Sequence, residues 1–365
     1  MTPKLALIAA VTLSALARPV ARAQAAIAIT GGRILTVTHG VIEDGTVVIE
    51  NGKITAVGAG VQVPAGAQVI DARGKVVMPG MIDAGDELGL VEIPAEQITV
   101  DSTEYSDPVH PELRVLDAVN PRSEVLKVTR AAGITNALSE PAAGNLIAGQ
   151  SAVIQLDGET VEQMVVKTPA ALHINLGEMS KTLYGAKGKA PETRMGQMAI
   201  LRQQFLQAQH YRAEHEAYEK RQAEKKAAGS KKSDPETPGE ESRSSAPPGR
   251  DLRMEALLAA LDAKVPVVVR ADRLSDIEMA LRLADEFHLR LILAGAASAW
   301  RIADQLAARK IPVIVGPVLE EPGRMESIDV RLDNAARLVQ AGVQVAIRTG
   351  SVDDVRELPF EVEYA

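Results

Sequence analysis

At 365 residues the chain is long enough for one large α/β domain with a smaller companion domain. A formal charge of −8, from 40 Lys and Arg against 48 Asp and Glu, argues against nucleic acid or an anionic membrane as the main partner. With 2% aromatic residues a base-stacking platform is not expected, and the lack of cysteine excludes disulfides, zinc–thiolate sites, iron–sulfur clusters and thiol nucleophiles.

Residues 1–23 have the pattern of a secretory signal peptide. Lys4 supplies the positive start, 5–17 is an apolar run, and Ala21-Arg22-Ala23 offers a small-x-small cleavage site before Gln24. The protein is therefore expected to be exported, to the periplasm or outside the cell. No later segment is apolar and long enough to span a bilayer.

Residues 24–78 read as short strands, at 28–31, 33–37, 46–50, 53–58 and 68–71. Gly31-Gly32, Glu43-Asp44-Gly45 and Asn51-Gly52 mark their turns, the last with a hairpin signal. From residue 76 the texture changes. Apolar strands at 76–83, 265–271, 290–294, 311–316 and 343–349 alternate with helical stretches at 275–288, 297–309 and 329–341. That alternation predicts βα units around a parallel sheet buried on both faces. Eight such units would close a TIM-type (β/α) barrel over 79–365, with its site at the C-terminal strand ends. A charged helix at 214–226 leads into 229–249, where Gly, Ser, Pro, Lys and Glu predict a disordered, solvated excursion.

The runs Ile29-Thr30-Gly31-Gly32-Arg33-Ile34 and Val48-Ile49-Glu50-Asn51-Gly52-Lys53-Ile54 carry a resemblance that continues in Val69-Ile70-Asp71 and in Val76-Val77-Met78-Pro79-Gly80-Met81-Ile82-Asp83-Ala84. Together they resemble the opening of the metal-dependent amidohydrolases, most of all the imidazolonepropionase-like branch. The similarity continues to the end of the chain. It implies a TIM-type barrel with a partial N-terminal β-sandwich. It also implies hydrolysis of C–N bonds by one or two metal ions that activate a bound water. The family's ligands are a His-x-His pair on the first barrel strand, often a carboxylated lysine midway, and a histidine on each of two later strands. An aspartate after the last strand is the base.

In this chain those positions hold other residues. The histidine pair falls on Gly85 and Glu87, the lysine on His173, the later histidines on Arg270 and Gly295, and the base on Gly350. Alternate strand residues share a face, so two histidines so spaced converge on one ion. Glycine donates nothing there, and arginine stays protonated and repels a cation. No cofactor is therefore expected, and the resemblance implies a non-catalytic homologue that binds a ligand or partner. Asp83, Glu87, His173 and Arg270 would form its vestigial site, with Glu87 and Arg270 paired. The alternative is a hydrolase of amide bonds with a reduced or rearranged zinc site.

Other residues have plainer expected roles. Asp83 is expected to make structural hydrogen bonds at its strand end, and Ser275 or Asp276 to cap a helix. His39, His110, His210, His215 and His288 are expected at the surface. The glycine-punctuated stretch 140–150 lacks the pattern of a phosphate cradle. The family continues past residue 365 with strands that complete the sandwich, so another polypeptide, a second copy or an amidohydrolase paralogue, is expected to supply them unless the chain is truncated.

Overall fold

The computed structural model describes residues 25–227 and 247–365, so the expected leader at 1–23 and nearly all of 229–249 lie outside the described residues. The chain divides into two compact units, Met1–Pro79 and Gly80–Ala365. Among the described residues no helix is long and apolar enough to cross a membrane.

The described part of the first unit is one five-stranded sheet. Strand β1 (Ile27–Leu35) pairs antiparallel with β2 (Val41–Glu50) and parallel with β4 (Gln68–Asp71) and β5 (Val76–Val77). Strand β3 (Lys53–Ala59) pairs antiparallel with β2. The turn from β2 to β3 is at Asn51 and Gly52, with φ of 51° and 72°, the left-handed pair that an Asn-Gly hairpin adopts. The predicted strands 28–31 and 33–37 are a single strand with a bulge at Gly31. There φ is +73°, and a Cβ would lie 2.6 Å from Arg73 Cγ.

The second unit carries mixed sheets. Strand β6 (Met81–Asp86) runs parallel to β7 (Ile134–Ser139). Strands β11 (Leu172–Asn175), β12 (Val267–Ala271), β13 (Leu291–Gly295), β14 (Val313–Val315) and β15 (Val345–Ile347) form a continuous parallel set. Between them β8 (Ile147–Gln150) and β9 (Ala152–Gln155) make nearly one extended strand. Its first half pairs antiparallel with β11 and its second half antiparallel with β7, while β10 (Val165–Lys167) edges β9. The α/β class expected from the sequence is borne out. The expectation of parallel pairing throughout is corrected by this one strand, which runs antiparallel because only a short loop, with no crossover helix, joins β7 to β8.

The two sheets bond to each other at two places. Ser151 exchanges backbone hydrogen bonds with Ala170 and Ala171, at 2.8 and 3.0 Å. At the other place Gly350 N–H donates to Gly85 C=O at 3.0 Å. Beside it, Thr349 donates to Asp83 from its backbone N–H (3.2 Å) and from Oγ1 (2.5 Å).

Runs such as Val267-Val268-Val269 and Leu291-Ile292-Leu293 are apolar on consecutive residues because both faces of these strands are covered. One face packs on helices through Leu201, Phe205, Leu257, Ile277, Leu283 and Leu338. The other builds a thin apolar layer of Ala171, Val268, Ala294 and Ile314, against which Ala84 and Ile292 pack. The helices on the first face include α1 (Arg194–Ala227), α2 (Leu252–Leu261), α3 (Leu274–Phe287) and α4 (Asn334–Gln340). Helix α1 starts twenty residues before the predicted charged segment, because Leu201, Phe205 and Ala208 give it a buried stripe at i, i+4 and i+7.

The expected cap on α3 is corrected. Arg273 holds the N-cap position without a side-chain bond, and Asp276, 1% exposed, pairs instead with Arg194 at 2.5 and 2.7 Å. Arg194 also reaches Glu326 at 2.8 Å, so this carboxylate ties α3 to the start of α1 and does not finish a helix end.

Thr349→Val keeps the shape of this junction but removes the hydroxyl donor of a fully buried carboxylate. The expected loss is about 1–3 kcal/mol, read from urea unfolding. An unchanged midpoint would contradict the role given to this bond.

Candidate functional site at the strand ends

Parallel strands place all their C-terminal ends on one side, so residues that end them meet in space whatever their separation in sequence. Asp83, Asp86 and Glu87 come from the end of β6, Glu140 follows β7, and His173 lies on β11. Arg270 lies on β12, and Arg348 with Thr349 leaves β15. The backbone helps to hold the group together, since Glu140 N–H donates to Asp86 C=O at 2.8 Å.

The centre is an ion pair. Arg348 Nη2 lies 2.7 Å from Glu140 Oε1, and the two side chains are 3% and 7% exposed. His173 Nδ1 stands 3.5 Å from the other oxygen of Glu140. Around the pair, Arg348 Nε, His173 Nε2 and Asp86 Oδ2 are buried without a hydrogen-bond partner. Unpartnered polar atoms are rare in protein interiors, and several in one place mark a site, not a packed core.

Charge states follow from burial. Desolvation, reinforced by Arg348, pushes the His173 imidazole down to about 3, so the ring is neutral. Burial pushes Asp83 up to about 6, against the donors from Thr349 and Gly85. Asp86, fully buried and facing the charge of Asp83, is held well above the ordinary carboxylate range. Burial raises Glu87, opposed by the Ser102 hydroxyl that donates to it at 2.9 Å. Glu140 is also raised by burial, more than the nearby guanidiniums offset. The 2.7 Å contact with Arg348 nevertheless has the geometry of an ionised pair.

The glycines at the expected ligand positions are not gaps. A Cβ on Gly85 would lie 2.9 Å from Glu140 Oε2, and one on Gly350 would lie 3.1 Å from Arg348 Nη2. One on Gly295, where φ is +73°, would lie 2.3 Å from Asp272 Oδ1. The charged tips of Glu140, Asp272 and Arg348 crowd the first atom that a side chain at 85, 295 or 350 would carry. Among the described residues no group of three or more His, Asp or Glu is arranged to hold a metal ion. The donors that remain do not fit a catalytic metal, because Glu140 is engaged by Arg348 and His173 shares its surroundings with that fixed cation.

The expected residues are placed as follows. Asp83 makes the structural bonds anticipated for it, to Gly85 N–H and to Thr349. Glu87, His173 and Arg270 all stand in the strand-end group, but Glu87 and Arg270 do not form the expected ion pair. Glu87 is satisfied by Ser102, and the Arg270 side chain has no hydrogen bond or ion pair to any described residue. The residues that do pair, Glu140 and Arg348, were missed as site residues, as was Asp86. One signal pointed to them: Glu140 and Arg348 are charges standing directly after short apolar strands. Of the scattered histidines, His39, His210 and His288 are exposed and His215 is half-buried. His110 departs from the surface expectation, being 5% exposed between Ser106 and Glu112.

No family model matches the chain. It is similar to the crystal structure of an amidohydrolase from Thermotoga maritima MSB8. The identity is 30% and the TM-score 0.80, over 93% of this chain and 84% of that one. It is 27% identical over 257 residues to the amidohydrolase tasK of Hapsidospora irregularis, a match covering 67% of this chain and 25% of that protein. A dihydroorotase of Trichlorobacter lovleyi is 46% identical over 55 residues, 15% of this chain and 13% of the enzyme. The chain thus spans a quarter or less of these curated relatives.

Because His173 is held down near 3, its contribution to stability is fully present above the ordinary 6.5 and is lost as pH falls toward 3. Asp83, raised to about 6, acts oppositely and loses its contribution as pH rises through that value. The ¹⁵N shifts of the His173 ring are therefore expected to stay flat from pH 8 to 5, and His173→Gln to lose less stability than wild type on acidification. A ring that titrates near its ordinary value would contradict this electrostatic account.

Proposed function

The chain belongs to the amidohydrolase family, and from that premise we propose that it is a member whose strand-end site binds a ligand or partner and does not hydrolyse C–N bonds with a bound metal. The observation that supports this most is the filled ligand space: Glu140 stands over Gly85, Arg348 over Gly350 and Asp272 over Gly295. A catalytic metal needs about three protein donors and an open position. Here a buried guanidinium holds the middle of the donor set instead.

In the same reading the sheets of the second unit are one (β/α) barrel. Its eight strand positions are β6, β7, the β8–β9 strand and β11 to β15, and the Thr349–Asp83 junction closes it. Residues 24–78 are its partial sandwich, of the imidazolonepropionase-like branch, and residues 1–23 direct export to the periplasm or beyond. The protein works there as a homo-oligomer or beside an amidohydrolase paralogue.

A second reading, hydrolysis through a rearranged zinc site, draws on Glu87, His173 and Glu140 as the donors still present. It requires Arg348 to leave the carboxylate it holds. Elemental analysis of protein purified from zinc-supplemented medium separates the two readings. Zinc well below one per chain, unchanged by Glu87→Ala, is expected; stoichiometric zinc that disappears in Glu87→Ala would establish the second reading in place of the first.

A further inference from the structure

We propose that Arg270 is the receptor for the carboxylate of a small monoanionic ligand at the strand ends. The proposal rests on the binding reading above and names the chemistry of what is bound.

Arg270 lies two residues beyond Val268 on β12, and alternate strand residues point the same way. Val268 belongs to the apolar layer with Ala171, Ala294 and Ile314. The guanidinium therefore stands over an apolar floor, partly buried and partly open to solvent. Of the charges near it, Asp272 acts through its field without a hydrogen bond or ion pair to the guanidinium, and three others are engaged elsewhere. Arg348 holds Glu140 at 2.7 Å, Arg324 holds Glu320 at 3.2 Å, and Glu87 takes the Ser102 hydroxyl at 2.9 Å. Unlike those three, the Arg270 side chain has no hydrogen bond or ion pair to any described residue, although a guanidinium offers five N–H donors.

An unpaired charge in a partly desolvated place is costly, and here burial and the like charges of Arg348 and Arg324 outweigh the opposite charges of Asp272 and Glu140. The neighbouring Arg348 Nε is itself buried without a partner, so a second N–H in the group lacks an acceptor. The planar fork of arginine matches a carboxylate through two parallel hydrogen bonds. Glu87 and Asp272 are charged neighbours of the guanidinium, and they disfavour a dianion more than a monoanion. A carboxylate is therefore favoured over a phosphate.

Binding of N-acetylglycine, followed by isothermal titration at fixed ionic strength, tests the assignment, with inorganic phosphate as the competing anion. Wild type is expected to bind N-acetylglycine more tightly than phosphate. Arg270→Lys keeps the charge without the fork and is expected to weaken binding roughly tenfold, while Arg270→Gln abolishes it. Because Arg270→Gln removes an unpaired charge, its melting temperature without ligand is expected to equal or exceed that of wild type.

Equal N-acetylglycine binding by wild type and Arg270→Gln would overturn the proposal, as would tighter phosphate binding. A clear loss of ligand-free stability in Arg270→Gln would also overturn it, since that would mean the guanidinium has a structural partner. Stoichiometric zinc would overturn the reading beneath the proposal. Metal-free wild type that ignores N-acetylglycine would overturn the proposal alone.

Discussion

The ion pair between Arg348 and Glu140 is the interaction from which the rest of the strand-end site takes its form. Both side chains are almost entirely out of water, and desolvation costs several kcal/mol for each ion. Neither charge is tolerable there without the other. Together they add to the effect of burial on their neighbours. The Arg348 charge joins burial in keeping His173 neutral, and the Glu140 charge joins burial and Asp83 in holding Asp86 well above the ordinary carboxylate range. The same two side chains fill the space over Gly85 and Gly350. In a metal centre of this family's type a cation would neutralise the converging donors; in this chain a covalently attached one lies against Glu140.

Site and fold share these residues. Arg348 is followed at once by Thr349, which bonds Asp83 on β6, and Glu140 N–H bonds the backbone of Asp86 on the same strand. The dipeptide that supplies the guanidinium also joins the end of β15 to β6. Rigid strand ends on an apolar layer then hold the charges apart at set distances, leaving Arg270 without a partner while Glu87 finds one in Ser102. An arrangement of this kind is preorganised: the charged groups are positioned by strands that are themselves well packed, and not by mobile loops.

Much of this was legible in the chain and some was not, for physical reasons. Consecutive β-branched residues such as Val267-Val268-Val269 favour a strand covered on two faces, and Asn51-Gly52 can readily adopt a left-handed hairpin turn, so both were visible directly. The loss of ligands at positions 85, 270, 295 and 350 was visible as soon as the family pattern was laid on the residues. The pairing of Glu87 with Arg270 was not, and the expectation of it failed. Ion pairing depends on how far each side chain rises above its strand, and Ser102, fifteen residues from Glu87, carries no periodic signal. Glu140 opens a stretch rich in glycine and alanine that reads as a surface loop, and a single charge does not announce its own burial. The buried stripe of α1 at Leu201, Phe205 and Ala208 was readable at helical spacing, whereas the change of partner from β11 to β7 between β8 and β9 was not.

Glu140 and Arg348 act as one unit. The most direct test is a double-mutant cycle on equilibrium stability with Glu140→Gln, Arg348→Met and the two combined. Each single change leaves a buried charge uncompensated and is predicted to cost about 3–5 kcal/mol. The double variant is predicted to recover most of that loss, giving a coupling energy above about 2 kcal/mol. Additive losses, with no recovery in the double variant, would contradict the account.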